Sequence, residues 1–277
     1  MEGAKRAIGE KGLKADPAAS EKGAKRKKMF APSAGYDRAI TIFSPDGRLY
    51  QVEYALETVR RGNLAVGVRA KEGIVLAVEE KGRKLQSADS VIKMFQIDDH
   101  VGAVGAGYIP DARIQVDSAR VMAQSNRLIY DEPVDIEAIA KRIADMNQQY
   151  TQYAGVRPFG VSLIIAGVDE NNGPVVYLAD PTGTYSGFHA IAIGQGSDQV
   201  NDYLEKNYDM DLSLDAAATL AIECIYLVSE DKTGTSHIKV AIVDAASKKM
   251  RRLTEQEVSK SASNAKTRSD KPSPKSS

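Results

Sequence analysis

The constraint that narrows the fold most is the order in which strand-like and helix-like patterns follow one another between about residues 64 and 244. Two β-rich runs, LAVGV at 64–68 and IVLAV at 74–78, are joined across Lys71-Glu72-Gly73 as a hairpin would be, and VIKMFQI at 91–97 with VGAVGA at 101–106 repeats the arrangement. This predicts an antiparallel first sheet. A helical block begins at Pro110, with Ile114, Val121 and Leu128 at heptad spacing. A second helix follows, in which Ile139, Ile143, Met146 and Tyr150 recur at steps of four, three and four, and the two helices are expected to pack together. Strand character returns in VSLIIAGV at 161–168, PVVYLAD at 174–180 and AIAIG at 190–194. Helices near 197–206 and 213–228 come next, then SHIKVAIVD at 236–244. A four-layer αββα sandwich, two antiparallel sheets face to face with a helix pair outside each, buries every apolar face in that order. The class is α+β; the pattern alone leaves other α+β arrangements open.

Ahead of these runs, Ser44 and Pro45 form a helix-start pair, the hydroxyl available as a cap and the proline ring preset for the first helical position. Leu49, Val52, Leu56 and Val59 then place one apolar stripe on a leading helix that stops near Gly62.

The 43% hydrophobic content is enough for a sizeable core, and no linker interrupts residues 34–258, which are read as one domain. Net charge is zero because two basic ends offset an acidic body: residues 1–30 carry nine Lys/Arg against four Asp/Glu, and residues 259–277 five against one. Both ends are rich in Ala, Gly, Ser, Lys and Pro and poor in large apolar residues, so the segments 1–33 and 259–277 are expected to be disordered. The run KRKK, Lys25 to Lys28, lacks interleaved aromatics and is read as solvated tail, so no nucleic-acid partner is expected. The single Cys224 excludes an internal disulfide and fits a reducing cytoplasm. No apolar run approaches the roughly 18 residues of a membrane span, and no secretory signal pattern opens the chain.

Chemistry-bearing motifs are sparse. His100, His189 and His237 are scattered without metal-ligand spacing, so no metal and no cofactor are expected. The glycines of GAVGAG, Gly102 to Gly107, run in the order G-x-x-G-x-G rather than the dinucleotide order, and are read as close backbone packing. Neither a G-x-S-x-G elbow nor a Walker loop is present. Cys224 shares a helical face with Leu220 and Leu227 and is read as a small buried hydrophobe.

Five segments carry a family resemblance: YDRAITIFSPDGRLYQVEY at 36–54, VIKMFQIDD at 91–99, GYIPDAR at 107–113, QQYTQYAGVRPFGVSLIIAGVD at 148–169 and AIGQGSDQV at 192–200. All are similar to segments of proteasome α subunits, in the same order, and the first resembles the archaeal proteins most. The resemblance implies the αββα sandwich of the N-terminal-nucleophile hydrolases. It also implies a seven-membered ring of identical subunits, assembled with β subunits that carry the active sites and threaded by unfolded protein substrates.

Further roles follow only from that resemblance. Matching Gly67 to the corresponding glycine of the catalytic relatives puts Asn63 where their nucleophilic threonine stands, with Glu79 and Lys93 where their acid and lysine lie. An amide cannot attack, and the helix before Asn63 reads as integral, so the chain is expected not to be an enzyme. The alternative is a self-processing hydrolase of the same superfamily. Tyr36, Asp37, Pro45 and Tyr54 match the cluster that holds the gate segments in open form. Lys93, Gly107 and Tyr108 match the pocket for the C-terminal carboxylate of an ATPase activator ending in hydrophobic, tyrosine, any residue; Tyr108 is bulkier than the leucine expected there. Tyr153, Ala154, Gly155, Val156 and Arg157 resemble the pore constriction, with Ala154 where the family has glycine.

Overall fold

In the computed structural model, the described residues are 41–80, 85–86, 93–231 and 234–269. Tyr36, Asp37, the basic extension 1–33 and residues 270–277 fall outside them. The elements are α1 (Tyr50–Arg60), β1 (Ala65–Ala70), β2 (Gly73–Glu79), β3 (Met94–Asp98), β4 (Val101–Gly107), α2 (Ile109–Tyr130), α3 (Ile136–Tyr150), β5 (Val161–Asp169), β6 (Gly173–Ala179), β7 (Tyr185–Phe188), β8 (Ala190–Ile193), α4 (Ser197–Asn207), α5 (Leu214–Val228), β9 (Ile238–Asp244), β10 (Lys249–Arg252) and α6 (Glu255–Ser269).

They form two five-stranded sheets, ordered β10-β9-β2-β1-β8 and β3-β4-β5-β6-β7, with every pairing antiparallel. Alternation along each strand assigns its two faces. In β1, Ala65 points toward the second sheet, while Val66 and Val68 point toward α4 and α5. Ile74, Leu76 and Val78 meet Val104, Ile164 and Ala166 across the middle of the molecule. Outside the second sheet, Ala103, Leu163 and Ile165 pack on Val116 and Ala119 of α2 and on Ile139 and Ile143 of α3. The four-layer αββα sandwich is thus observed.

Within it, several local expectations are corrected. The two leading hairpins do not share a sheet: β1–β2 lies in the first and β3–β4 in the second. All of β2 and all of β4 except Gly107 are buried, so neither run carries the half-polar alternation that would assign it to a layer. Ser44 and Pro45 do not start the first helix. Ser44 O accepts from Gly47 N at 2.8 Å and its Oγ from Arg48 N at 3.1 Å, closing a turn ahead of Tyr50. Gly47, at φ 74°, takes the left-handed position that such a turn needs.

On α2 the buried face is Asp111, Ala112, Gln115, Val116, Ala119 and Ala123, and Ile114, Val121 and Leu128, the apolar line at heptad spacing, are exposed. Two residues along a helix correspond to about 200° of rotation, so Ile114 opposes Ala112. Small residues let the helix lie close on β3 and β4, and the buried Gln115 Nε2 donates to Asn147 Oδ1 of α3 at 2.7 Å. Gly102 and Gly105 are packing glycines: an added Cβ would sit 2.9 Å from Leu76 Cδ1 and 3.0 Å from Leu163 Cδ2, respectively. Cys224 is wholly buried in the first helix layer, and burial pushes its thiol pKa well up.

The tail expected to be disordered from residue 259 is helical to Ser269. Val258, Ala262 and Ala265, at steps of four and three, pack into the core cluster around α5 and β9. Composition concealed this because two of the three are alanines among lysines and serines. Val258→Ala should lower the stability of the chain by about 1–3 kcal/mol, read as a fall in its urea midpoint. A segment that contributed nothing would leave the midpoint unmoved.

Candidate gate and docking site

The sequence-predicted site residues fall into three structural neighbourhoods. At the leading end, Tyr36 and Asp37 lie outside the described residues. Pro45 is exposed at the Ser44–Gly47 turn. Arg48 follows it and fixes the turn to α1 through an ion pair with Glu53, its Nε donating to Oε1 at 2.6 Å, while its guanidinium lies 5.0 Å from the Tyr50 ring centre. Tyr54, one helical turn on, is 42% exposed, its ring centre 6.5 Å from that of Tyr50. The turn and the exposed phenol are therefore held by one short helix.

The second neighbourhood gathers around a main-chain oxygen. Asn63 Nδ2 donates to Glu79 O at 3.2 Å, and Lys93 Nζ donates to the same oxygen at 3.4 Å. The Glu79 carboxylate turns the other way and accepts from Ser229 Oγ at 2.7 Å; that hydroxyl also lies 3.4 Å from His237 Nε2. Asn63 and Lys93 thus meet at the main-chain oxygen of Glu79, in a hydrogen-bonded cluster with an amide and no hydroxyl at residue 63. Asn63 is also locked into mid-chain. Gly62 N donates to Val59 O at 2.9 Å and Gly62 O accepts from Gln195 N at 2.7 Å, and a Cβ on Gly62 would collide with the backbone of Gly107. Ser229, His237 and Asp231 mimic a hydrolase triad in their order of contacts, His237 Nδ1 lying 3.7 Å from Asp231 Oδ2. Ser229 is only 3% exposed, so its hydroxyl is shut away from solvent and serves as a buried bridge between Glu79 and His237.

Lys93 O accepts from Gly105 N at 3.1 Å, tying the lysine to β4, whose last residue is Gly107. Gly107 has φ 115°, and a side chain there would strike the carbonyl of Gly160. Its neighbour Tyr108 follows β4 with its N–H on Gly160 O at 2.8 Å and leaves its ring half exposed.

The third neighbourhood is the loop Tyr153 to Arg157. Tyr153 and Val156 are exposed, and Gly155 has φ 86° with open space around it, so backbone geometry alone explains the glycine. Arg157 is also exposed along much of its side chain, but its head is fixed. Its Nη1 and Nη2 grip the buried carboxylate of Asp111 at 2.6 and 2.8 Å, and its guanidinium lies 5.4 Å from the Tyr108 ring centre. The hydrogen bond to Asp111 raises the Arg157 pKa further above its usual value, so the guanidinium keeps its charge. Asp111 Oδ2 also accepts from Gly160 N at 2.9 Å. Motif reading passed over Asp111, although its place in the first turn of α2, four residues before the buried Gln115, marks an inward-facing carboxylate.

Tyr54, Tyr108 and Arg157, one from each expected role, line a common groove of about 360 Å³ with Thr58, Pro158 and Gly160; Lys93 and Gly107 are not among its lining residues. Among the described residues no group of three or more His, Cys, Asp or Glu side chains could hold a metal ion.

Removing one partner of the Arg157 fork leaves a buried carboxylate short of its cation, with solvent at the arginine side softening the loss. Arg157→Ala should therefore cost about 1–3 kcal/mol in chemical denaturation, with Asp111→Asn, which keeps a hydrogen-bond acceptor, costing less. Equal and negligible losses would mean that the fork is ornamental.

Comparison with known proteins supplies the family. The proteasome subunit profile matches residues 59–243, and the N-terminal signature of A-type proteasome subunits matches residues 36–57. The chain is 50% identical over 231 residues to the proteasome alpha subunit of Methanosarcina barkeri, covering 83% of this chain and 92% of that one. It is 47% identical over 231 residues to the alpha subunit of Archaeoglobus fulgidus, covering 83% and 93%, and 48% identical over 230 residues to that of Pyrococcus horikoshii, covering 83% and 87%. On the match to the family, the α-type signature and these archaeal relatives, the chain belongs to the proteasome family as an α-type subunit.

Proposed function

We propose that this chain is a non-catalytic wall and gate subunit of the proteasome core particle, built as a seven-membered α ring against β subunits that carry the proteolytic sites. The observation that carries the reading is the cluster at Glu79 O: an amide stands at the nucleophile position, held in mid-chain behind an intact helix, and its hydrogen bond is shared with Lys93. Such a site cannot form an acyl intermediate, but it presents an ammonium group at a half-buried edge.

In this reading the N-terminal segments close the pore, and Tyr36, Asp37, Pro45 and Tyr54 hold them when it opens. Pro45 and Gly47 set the direction in which the segment leaves the body, and α1 carries Tyr54 beside it. Lys93, Gly107 and Tyr108 form the pocket for the C-terminal carboxylate of an ATPase activator ending in hydrophobic, tyrosine, any residue. A single charge-assisted contact of this kind contributes about 1.5–3 kcal/mol, useful when several tails dock together. The loop from Tyr153 through Ala154, Gly155 and Val156 to Arg157 frames the aperture through which unfolded chains pass. None of the helices among the described residues is long and apolar enough to cross a membrane, and we place the particle in the cytoplasm.

Deleting residues 1–37 should raise peptide hydrolysis by a particle reconstituted with β subunits severalfold; a truncated particle no faster than the intact one would remove the gate from the proposal. Lys93→Ala should leave ring assembly intact, seen as seven-membered rings by electron microscopy, while abolishing ATPase-stimulated degradation. Unchanged stimulation would take Lys93 out of the docking pocket. The self-processing alternative requires a mature chain that starts at Ser, Thr or Cys, so the intact mass of the purified protein separates the two readings.

A further inference from the structure

We infer that Glu80 is a positioning residue for the docking lysine, fixing where the Lys93 ammonium stands; this rests on the reading of Lys93 as receiver of an activator's C-terminal carboxylate. Glu80 directly follows β2 in the first sheet, and Lys93 directly precedes β3 in the second. The Glu80 side chain spans that gap: its Oε1 accepts from the Lys93 main-chain N–H at 2.9 Å. Its own origin is fixed, because Glu80 N–H donates to His237 O at 2.7 Å and the residue is 9% exposed. Lys93 is held at two further points, its carbonyl by Gly105 N at 3.1 Å and its ammonium by Glu79 O at 3.4 Å. Consecutive residues 79 and 80 therefore hold the head and the main chain of one lysine.

The arrangement matters because lysine is a poor receptor unless it is preorganised. Its side chain has large rotamer freedom, and ordering it at the moment of binding subtracts from affinity. A charge-assisted hydrogen bond to the main chain fixes where the stem starts, and the hydrogen bond to Glu79 O holds its far end, so the two together place the ammonium. Glutamate has the reach for this; aspartate, one methylene shorter from the same fixed main chain, does not. Glutamine keeps an acceptor oxygen at the same reach without the charge.

The test uses full-length rings and a short fluorescein-labelled peptide ending in Leu-Tyr-Ala, with either a free carboxylate or a C-terminal amide. For the free carboxylate, Glu80→Ala and Glu80→Asp should each raise Kd about tenfold, and Glu80→Gln should stay within about twofold of the unmodified chain. Binding of the amide peptide should be weak and the same in all of them. If Lys93→Ala abolishes carboxylate binding while Glu80→Ala and Glu80→Asp bind like the unmodified chain, the inference is overturned and the docking reading stands. If Lys93→Ala itself binds normally, the docking reading fails and takes the inference with it. A Glu80→Ala effect of equal size on the amide peptide, or a Gln variant as weak as the Ala one, also overturns it, since either is the mark of general disruption rather than placement of one ammonium. Should Glu80→Ala fail to assemble, the contrast between Asp and Gln decides in the same way.

Discussion

The hydrogen-bonded cluster at Glu79, Glu80 and Lys93 depends on how closely the inner faces of the two sheets approach. Gly67 in the middle of β1 faces Ile164 of β5, and an added Cβ would lie 2.7 Å from its Cγ2. Around that contact, Leu76, Val104 and Ala166 fill the interface with apolar side chains. Interiors packed at crystal density transmit displacement instead of absorbing it. The end of β2 and the start of β3 belong to different sheets, so their separation is set by this interface. That separation decides whether Glu79, Glu80 and Lys93 can reach one another.

The same interface sets the geometry around the residue that leads into β1. A fold that places an acid, a lysine and the residue leading into β1 within hydrogen-bond reach offers chemistry only if that leading residue has a reactive oxygen and a free amine. Here it has an amide side chain and a peptide bond on both sides, and Glu79 has turned its carboxylate toward Ser229. The polar groups are held by hydrogen bonds, so the cluster stands as a structural element between the sheets.

How much of this was legible in the sequence depended on which scale a feature lives on. The order of elements read as far as β9 and the antiparallel hairpins follow from period and turn chemistry and hold in the structure, while the αββα layering is singled out among α+β folds by the family resemblance. Which sheet a hairpin joins does not follow from the pattern, because β2 and β4 are buried on both faces and carry no polar alternation to read. Heptad spacing on α2 correctly finds an apolar line and says nothing about which way it points; the inward face is built largely from alanines and one glutamine that hydropathy undervalues. α6 was hidden for the same reason, with its burial carried by Val258, Ala262 and Ala265. Of the candidate site, motif resemblance names Lys93, Gly107, Tyr108 and the 153–157 loop as expected members. Their mutual arrangement was not legible, because Asp111 and Glu80 act through hydrogen bonds between residues distant in sequence.

The outward line of Ile114, Val121 and Leu128 has a consequence for how such a chain lives. These side chains are 57%, 67% and 88% exposed, and Ile129 and Tyr130, at 69% and 66%, widen the apolar surface at the C-terminal end of the helix. Apolar area left in water costs about 25 cal/mol per Å² until something covers it, and a line of this length exceeds the scattered single exposures of an ordinary surface. A copy with this surface uncovered therefore carries an association-prone face along α2, and its solubility depends on how much of that face meets water.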